Sequence, residues 1–470
     1  MKMKSNWIKY SFIIGIILTF QSCLAVKEYT RSEKIEDDIY YRTDMLPKDS
    51  TSMADFSYTA IFKDELLQQY IEKGLQNNLD IRMALQNIAT AEAYLKQAKS
   101  IYFPTLSVSP GVSYSTSSLN SQQAAFLNDR EWSTQYNLGL NSSWEIDVWG
   151  KLKNAEKAQY ATYLQTVAAH QAVKSRIVAG IASAYFQLLA LDEQYRTTQE
   201  SITLQEESLE TTKALKEAGQ VTEVAVQQTE ALTLNYKARL IDINNNIKIA
   251  ENQLSYLMGE PAHAIERTQI ENQFIPTDIK TGYPSALLRN RPDVLAAEYA
   301  LIASFHDQEV AKLNMYPSLN ISVSGGLQSM ELDDFFNANS LFANVLGGLT
   351  QPIFQQRRLR TQLEVSQIAQ HSALLEFRRS LLMASNEVSN ALQTYNNQDG
   401  IIRLKTQEFE NYTRATEYSQ ELLNYGLANY LEVLTAQQNA LNAKLAEINA
   451  KYAKLNALVD LYSSLGGGWK

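Results

Sequence analysis

Chemistry in a chain of 470 residues should first be sought at its histidines, its cysteine and its glycine clusters. His170, His263, His306 and His371 are scattered and fall into no metal-ligand spacing. Gly466-Gly467-Gly468 has no helix after it to receive a phosphate, and it reads as a flexible end. The sequence contains no nucleophile elbow, P-loop or dinucleotide fingerprint. Carboxylates abound, but mostly on helix faces, where a solvated charge is the default. This inventory points away from an enzyme and calls for no cofactor and no metal. Cys23 is the only cysteine, so an internal disulfide is excluded.

Modification is the remaining chemistry for Cys23. Lys2, Lys4 and Lys9 precede the apolar run Tyr10–Phe20, which meets Gln21-Ser22-Cys23. A basic start, a short apolar run and a small residue before the cut describe a secretory signal. The run is too short to span a bilayer. The position of Cys23 resembles a bacterial lipoprotein box, in which the cysteine becomes the acylated first residue. Phe20 fits that box poorly, and ordinary cleavage beside an incidental cysteine is the alternative. The net charge of −9, with no basic block, excludes nucleic-acid partners.

The elements that must carry any function are duplicated. Leu152–Gly259 lies without a gap on Leu359–Gly466, with Ala184 on Ala391, Asp192 on Asp399 and Gly219 on Gly426. A repeat of this size constrains the fold before anything else. Each copy reads as a long helix, a turn at glycine and a returning helix. Leu152–Ala218 would run roughly 100 Å at about 1.5 Å per residue. The returning helices carry apolar seams at 3-4 spacing, Leu232, Tyr236, Leu240, Ile243, Ile247, Ala250, Leu254, Leu257 in one and Leu441, Leu445, Ile448, Tyr452, Leu455, Val459, Tyr462 in the other, which predict coiled-coil packing. Upstream, Asn77–Val112 repeats from Asn290, each copy an Ala-rich helix halted at Phe103-Pro104 or Tyr316-Pro317. A pre-strand helix and a returning helix together nearly match the long one, so the two short helices are expected to stack end to end.

Strands follow each proline. Leu106, Val108, Val112 and Tyr114 alternate with small polar residues. So do Tyr136, Leu138, Leu140, Trp144, Ile146 and Val148, and then Leu319, Ile321 and Val323. Asn344–Phe354 completes the set with a weaker alternation. Period two with one apolar face fits either a half-solvated sheet on helices or a membrane β-barrel. Four strands cannot close a barrel, since about eight is the smallest number that works. An open sheet in lipid would leave unpaired edges. The membrane reading therefore requires several chains, and three would supply twelve strands.

These pieces together resemble the TolC-like outer-membrane efflux duct family, in its lipoprotein branch. The likeness is carried by Phe103-Pro104-Thr105-Leu106, the stretch Trp144–Leu152, Asn290-Arg291-Pro292-Asp293-Val294, the stretch Tyr425–Leu434 and Leu465–Trp469. It departs at Gln355-Gln356, where many relatives carry an acidic-glycine turn. The resemblance implies a mainly α fold with β. Duplicated antiparallel hairpins would form an α-helical barrel, and four strands per chain would enter a trimeric 12-stranded β-barrel. It implies a passive homotrimer, lipid-anchored in the outer membrane of a Gram-negative bacterium, partnered by a periplasmic adaptor and an inner-membrane pump of the RND type. Gly219 and Gly426 would mark the closed tips. Glu223, Tyr425, Tyr430 and Glu432 would line the gate or meet the adaptor, with each glutamate tripled into a carboxylate ring or simply solvated.

The domain boundaries expected are a signal at 1–22, an extended tether at 23–60, repeats at 61–259 and 290–466, a linker at 260–289 and a tail at 467–470. Other readings stay open: a duct for type I peptide or protein secretion, a structural periplasmic coiled-coil lipoprotein, or an adhesive protein using the loops Thr116–Glu131 and Ser329–Ser340.

Overall fold

A computed structural model describes residues 27–31, 41–42, 51–116, 118, 132–276 and 279–470. The expected signal, Cys23 and nearly all of the loop after Thr116 lie outside the described residues. In chain order the elements are α1 (Tyr58–Ile61), α2 (Glu65–Asn77), α3 (Leu79–Ser100), β1 (Thr105–Thr116) and β2 (Trp132–Ile146). Then come α4 (Lys151–Glu217), α5 (Glu223–Met258), α6 (Leu287–Asn290) and α7 (Pro292–Leu313). The chain ends with β3 (Ser318–Ser329), β4 (Leu341–Thr350), α8 (Arg358–Asn424) and α9 (Tyr430–Ser464). Two compact units emerge, one built around Ala89–Leu164 and Glu298–Leu375, the other around Gln165–Ala297 and Glu376–Lys470. Each is described by itself.

In the first unit the strands form one antiparallel sheet in the order β1-β2-β3-β4. Opposed residues in an antiparallel ladder share a face, so the register tests the alternation directly. Val108 lies across from Leu140, which lies across from Gly325 and then Ala343. Pro110, Leu138, Leu327 and Leu341 form a second apolar row, and Ile146, Leu319 and Leu349 a third. The opposite face carries Ser107, Asn141, Ser324 and Asn344 in one row. Leu106, Val108, Val112, Val345 and Leu349 are each at least 60% exposed. Such a continuous apolar face is more than scattered surface hydrophobics. Within the described sheet, β1 and β4 each pair on one side only.

The fourth strand differs from expectation. It runs over Leu341–Thr350, starting and ending earlier than Asn344–Phe354. Gly347-Gly348 dilutes the alternation at its centre, and Pro352 has no N–H to give a ladder. The turn into α8 holds Gln356 at φ 49° and Arg357 at φ 67°. In the first repeat the position aligned with Arg357 is Gly150, at φ 77°. The departure noticed at Gln355-Gln356 therefore leaves the left-handed turn intact and puts side chains where glycine is the easier residue. Also in this unit, Arg31 makes a bidentate pair with Glu298 on α7, its Nε at 2.7 Å, which holds the extended segment 27–31 to that helix.

The second unit is helical and its core is aromatic. Phe62 meets Phe186 and Tyr462 edge to face at 6.1 and 5.7 Å, over the fully buried Leu67, Ile71, Ile181 and Leu188. The expected seams are buried at Tyr236, Ile243, Ile247, Ala250 and Leu254 on α5, and at Leu441, Leu445, Ile448, Leu455, Val459 and Tyr462 on α9, whereas Leu232, Leu240, Leu257 and Tyr452 are half-buried. Long helices α4 and α8 have 67 residues each, against 22 in α3 and 36 in α5.

The short helices do meet end to end. Gly259, ending α5 at φ 74°, lies against the junction of α2 and the pre-strand helix α3, where a Cβ would stand 2.6 Å from the Asn77 carbonyl oxygen and 3.3 Å from the Asn78 nitrogen. Gly466, ending α9 at φ 94°, makes the same approach to the Asn290 oxygen, at 2.4 Å. The terminal glycines are accordingly no flexible end. Gly466, Gly467 and Gly468 are buried, Ser175 donates to the Gly467 carbonyl at 2.5 Å, and the Trp469 indole donates to the Asn290 carbonyl at 3.0 Å. A triplet without side chains permits this close backbone packing, which composition alone cannot distinguish from flexibility.

Segment 260–289 also packs. Arg267 binds both oxygens of Asp192 and one of Glu251 at 2.5–2.8 Å, and the Tyr70 hydroxyl donates to the Glu266 carbonyl at 2.6 Å. The repeat mate of Asp192, Asp399, is also ion-paired, but to Lys454 on α9 and not to an intervening segment.

Candidate gate at the helical tips

Each hairpin turns through the same hydrogen-bonded motif. At the end of α4 the Gly219 N–H donates to the Lys216 carbonyl and the Gln220 N–H to that of Leu215, both at 2.9 Å. At the end of α8 the Gly426 and Leu427 N–H groups bond Leu423 and Leu422 at 3.0 and 2.8 Å. These are Schellman caps, which satisfy the last carbonyls and require a left-handed residue. Gly219 and Gly426 supply it at φ 73° and 70°. In contrast to Gly259 and Gly466, a Cβ at either tip would meet nothing within 4 Å.

The predicted residues then part company. Glu223, in the first turn of α5, receives a salt bridge from Lys216 at 2.5 Å and a hydrogen bond from the Gln227 amide at 2.9 Å. The Lys216 hydrogen bond, helped by Gln227, lowers its pKa below the usual carboxylate value. Its charge is therefore largely matched within its own hairpin, which blunts any carboxylate ring built from it. Glu432, in the first turn of α9, lines an open hollow of about 440 Å³ with Tyr412, Asn429, Thr435 and Asn439. Asn429 caps that helix, its side chain accepting from the Leu431 N–H at 3.1 Å. Tyr425 and Leu427 are about three-quarters exposed.

Tyr430 is the residue that joins the tips. Its hydroxyl donates to the Gln228 side-chain oxygen at 2.7 Å, linking α9 to α5. Sequence reasoning missed Gln228, and with it a ladder of similar links between the hairpins. Arg239 donates to Asn442 at 3.3 Å, Gln194 to Asn449 at 2.8 Å, and Ser183 to Asn456 at 2.6 Å. Only the asparagines' spacing of seven, 442, 449 and 456, one face of a heptad, could have signalled it. Each link is a single hydrogen bond, and those between two neutral side chains contribute a net of about 0.5–1.5 kcal/mol. Of these four links the Tyr430–Gln228 bond is the one nearest the tips, and the others lie progressively further along the hairpins.

A four-stranded sheet with one exposed apolar face in one unit, and duplicated helical hairpins with capped tips in the other, are the elements of an outer-membrane channel protein. The family model described as "Outer membrane efflux protein" matches residues 70–260 and 283–467, and the chain belongs to that family. It is an outer-membrane efflux duct subunit. Among curated proteins it is 26% identical to the cation efflux system protein CusC of Escherichia coli O6:H1 over 421 residues, 88% of each chain. It is 28% identical to the pyoverdine export outer membrane protein OpmQ of Pseudomonas aeruginosa over 411 residues, 86% of this chain and 85% of the other. Among solved structures, the outer-membrane channel OprN superposes with a TM-score of 0.87 at 23% identity, covering 95% of this chain and all of the other. The open state of the Neisseria gonorrhoeae MtrE outer membrane channel gives 0.83 at 24%, covering 95% and 99%. These likenesses show the mainly α fold with its four-stranded sheet.

Proposed function

We propose that three copies of this chain close a 12-stranded barrel in the outer membrane and form a passive exit duct. The duct's helical tips open when a periplasmic adaptor and an inner-membrane pump of the RND type dock. The observation that carries this reading is the sheet: one apolar face and two unpaired edges in a four-stranded piece. In lipid each unpaired backbone group costs several kcal/mol, and four strands are too few to close alone. Three-fold closure removes every edge. The duct catalyses no reaction and takes its energy from the pump. Cys23 would add an acyl anchor to the outer-membrane lipid.

The cargo belongs to the pump. Relatives of 25–28% identity are named for exporting chemically unrelated things: cations, toluene and pyoverdine. That spread supports a conduit that passes what it is given, here small molecules such as drugs or toxic compounds. Gly219, Glu223, Tyr425, Gly426, Tyr430 and Glu432 form the gate and adaptor contact in this reading, with Glu432 the stronger candidate for a charged ring because Glu223 already holds Lys216.

The test is membrane extraction and gel mobility. A heat-modifiable trimer that only detergent releases is expected, whereas a monomer released by salt overturns the duct. For the gate, single-channel conductance and cation selectivity should change in Glu432→Gln and change less in Glu223→Gln. No change in either removes both residues from the gate.

A further inference from the structure

Ile353 and Phe354, just past the end of β4, are 95% and 82% exposed, the two highest values among the large hydrophobic side chains of the described residues. Phe103, just ahead of β1, is 73% exposed. Neither segment is loose. The Trp144 indole donates to the Tyr102 carbonyl at 2.8 Å, and the Tyr102 hydroxyl donates to Glu156 at 2.9 Å. The Gln351 amide donates to the Met315 carbonyl at 3.0 Å, and the Arg358 guanidinium to the Gln355 side-chain oxygen at 3.0 Å. All of these residues belong to the first unit. The chain therefore holds three large apolar side chains in fixed places and forgoes the burial that such side chains normally gain.

Strand order decides what can cover them. The ladders set Thr105 across from Ser143, Ile146 across from Leu319 and Ser318 across from Thr350, so the start of β1 and the end of β4 lie at the same end of the sheet. They lie on its opposite edges, three strand spacings or roughly 14 Å apart. When β4 of one copy pairs with β1 of the next, the two strands run antiparallel, as three successive antiparallel pairings dictate, and the spacing falls to about 4.8 Å. Lipid is a poorer cover. Arg357 pairs with Glu364 at 3.1 Å just beyond Phe354, and Lys151 pairs with Glu145 at the foot of β2, charges that hydrocarbon excludes. We propose that Phe103 of one copy packs against Ile353 and Phe354 of the next, an apolar clasp that closes each β4–β1 joint at its helix-proximal end. It rests on the three-copy barrel proposed above and adds the side chains by which the copies hold each other.

The experiment uses the full-length protein in outer membranes, carrying Phe103→Cys with either Ile353→Cys or Phe354→Cys. Membranes are oxidised with copper phenanthroline and run on boiled, non-reducing gels. A disulfide needs Cα atoms about 4.4–6.8 Å apart, so the two positions of one chain are out of reach and only neighbouring copies can join. In at least one pair, most chains should move to dimer and trimer bands that dithiothreitol collapses. The three single variants should give none beyond the parent, whose only cysteine is Cys23, because the contact is head-to-tail and no position meets its own copy. Ile353→Ser with Phe354→Ser should make the unboiled trimer dissociate at a lower temperature, since these exposed changes disturb no packing within one chain. An unboiled trimer whose paired cysteines do not cross-link means that lipid or another protein covers these side chains. That result, cross-links as strong in the single variants, or a serine variant as heat-stable as the parent overturns the clasp and leaves the duct standing. A parent that runs as a monomer without boiling overturns the clasp and the duct together.

Discussion

Replacing Tyr430 by phenylalanine deletes one hydroxyl and keeps the ring. The lost contact is its 2.7 Å hydrogen bond to Gln228, the link between the two hairpin tips. Both side chains are partly or fully solvated, so the contribution belongs at the low end of the usual range, about 0.5–1 kcal/mol. The proposed trimer would hold three such links. If the tips part together, the closed state loses roughly 1.5–3 kcal/mol, a ten- to 150-fold shift toward open. Single-channel recording in planar bilayers reads this as open probability. Gln228→Leu should give a similar shift, and the double variant should be no more open than either single one, because only one bond is there to lose. Full additivity of the two changes, or an open probability for Tyr430→Phe within two-fold of wild type, would show that the tips are held elsewhere.

Other outcomes follow from backbone and charge. Gly426→Ala should cost only about 1 kcal/mol, the left-handed penalty, because its Cβ meets open space. Gly466→Ala should cost about 3 kcal/mol or more, since its Cβ would sit 2.4 Å from the Asn290 oxygen; thermal melts compare the two, and equal costs would be inconsistent with end-to-end sealing of α9 on α6. Arg357→Gly should stabilise by about 0.5 kcal/mol, by relieving φ 67° at the expense of an exposed pair with Glu364; a lower melting temperature refutes it. Burial raises the Asp64 carboxyl, but hydrogen bonds from Thr268, Gln273, Tyr185 and the Leu67 N–H outweigh it and leave the pKa below its ordinary value. The stabilisation is therefore present above an unfolded-state pKa of about 4 and is lost as pH falls through the folded value. Asp64→Asn should lower the melting temperature at pH 7, with the gap narrowing at pH 3; a constant gap refutes the linkage.

The hairpins were legible because their signals are local. A heptad seam and a glycine turn can be read within a few dozen residues, and the repeat states them twice. The first three strands were legible for the same reason, and the register sets Val108 opposite Leu140 on the apolar face as the alternation required, whereas the fourth strand begins at Leu341, ahead of the expected Asn344. What escaped was set by residues distant in sequence. Gln228 has no pattern that points to Tyr430, 202 positions away. Gly466-Gly467-Gly468 looks like a loose end until Asn290 and Ser175 are placed against it. Asp192 and Asp399 were visible as a repeated pair, but their partners differ, Arg267 from the intervening segment in one copy and Lys454 from a helix in the other.

Contact strength changes along each returning helix, and the direction of that change bears on where the duct can open. At the far end from the tips, Gly259 and Gly466 are pressed on backbone carbonyls. Arg291 there, with its side chain 9% exposed, binds Asp293, Glu387 and the Ser464 carbonyl. Breaking such a network strands a buried charge, at a cost of about 3–5 kcal/mol. At the tips the caps face open space and the cross-hairpin links are single bonds to neutral groups. A docking partner with a few kcal/mol of preference for one state can shift the second set and leave the first intact. Opening by hairpin separation at the tips, with the sealed ends as the fixed points, is therefore the motion that this distribution of contacts resists least.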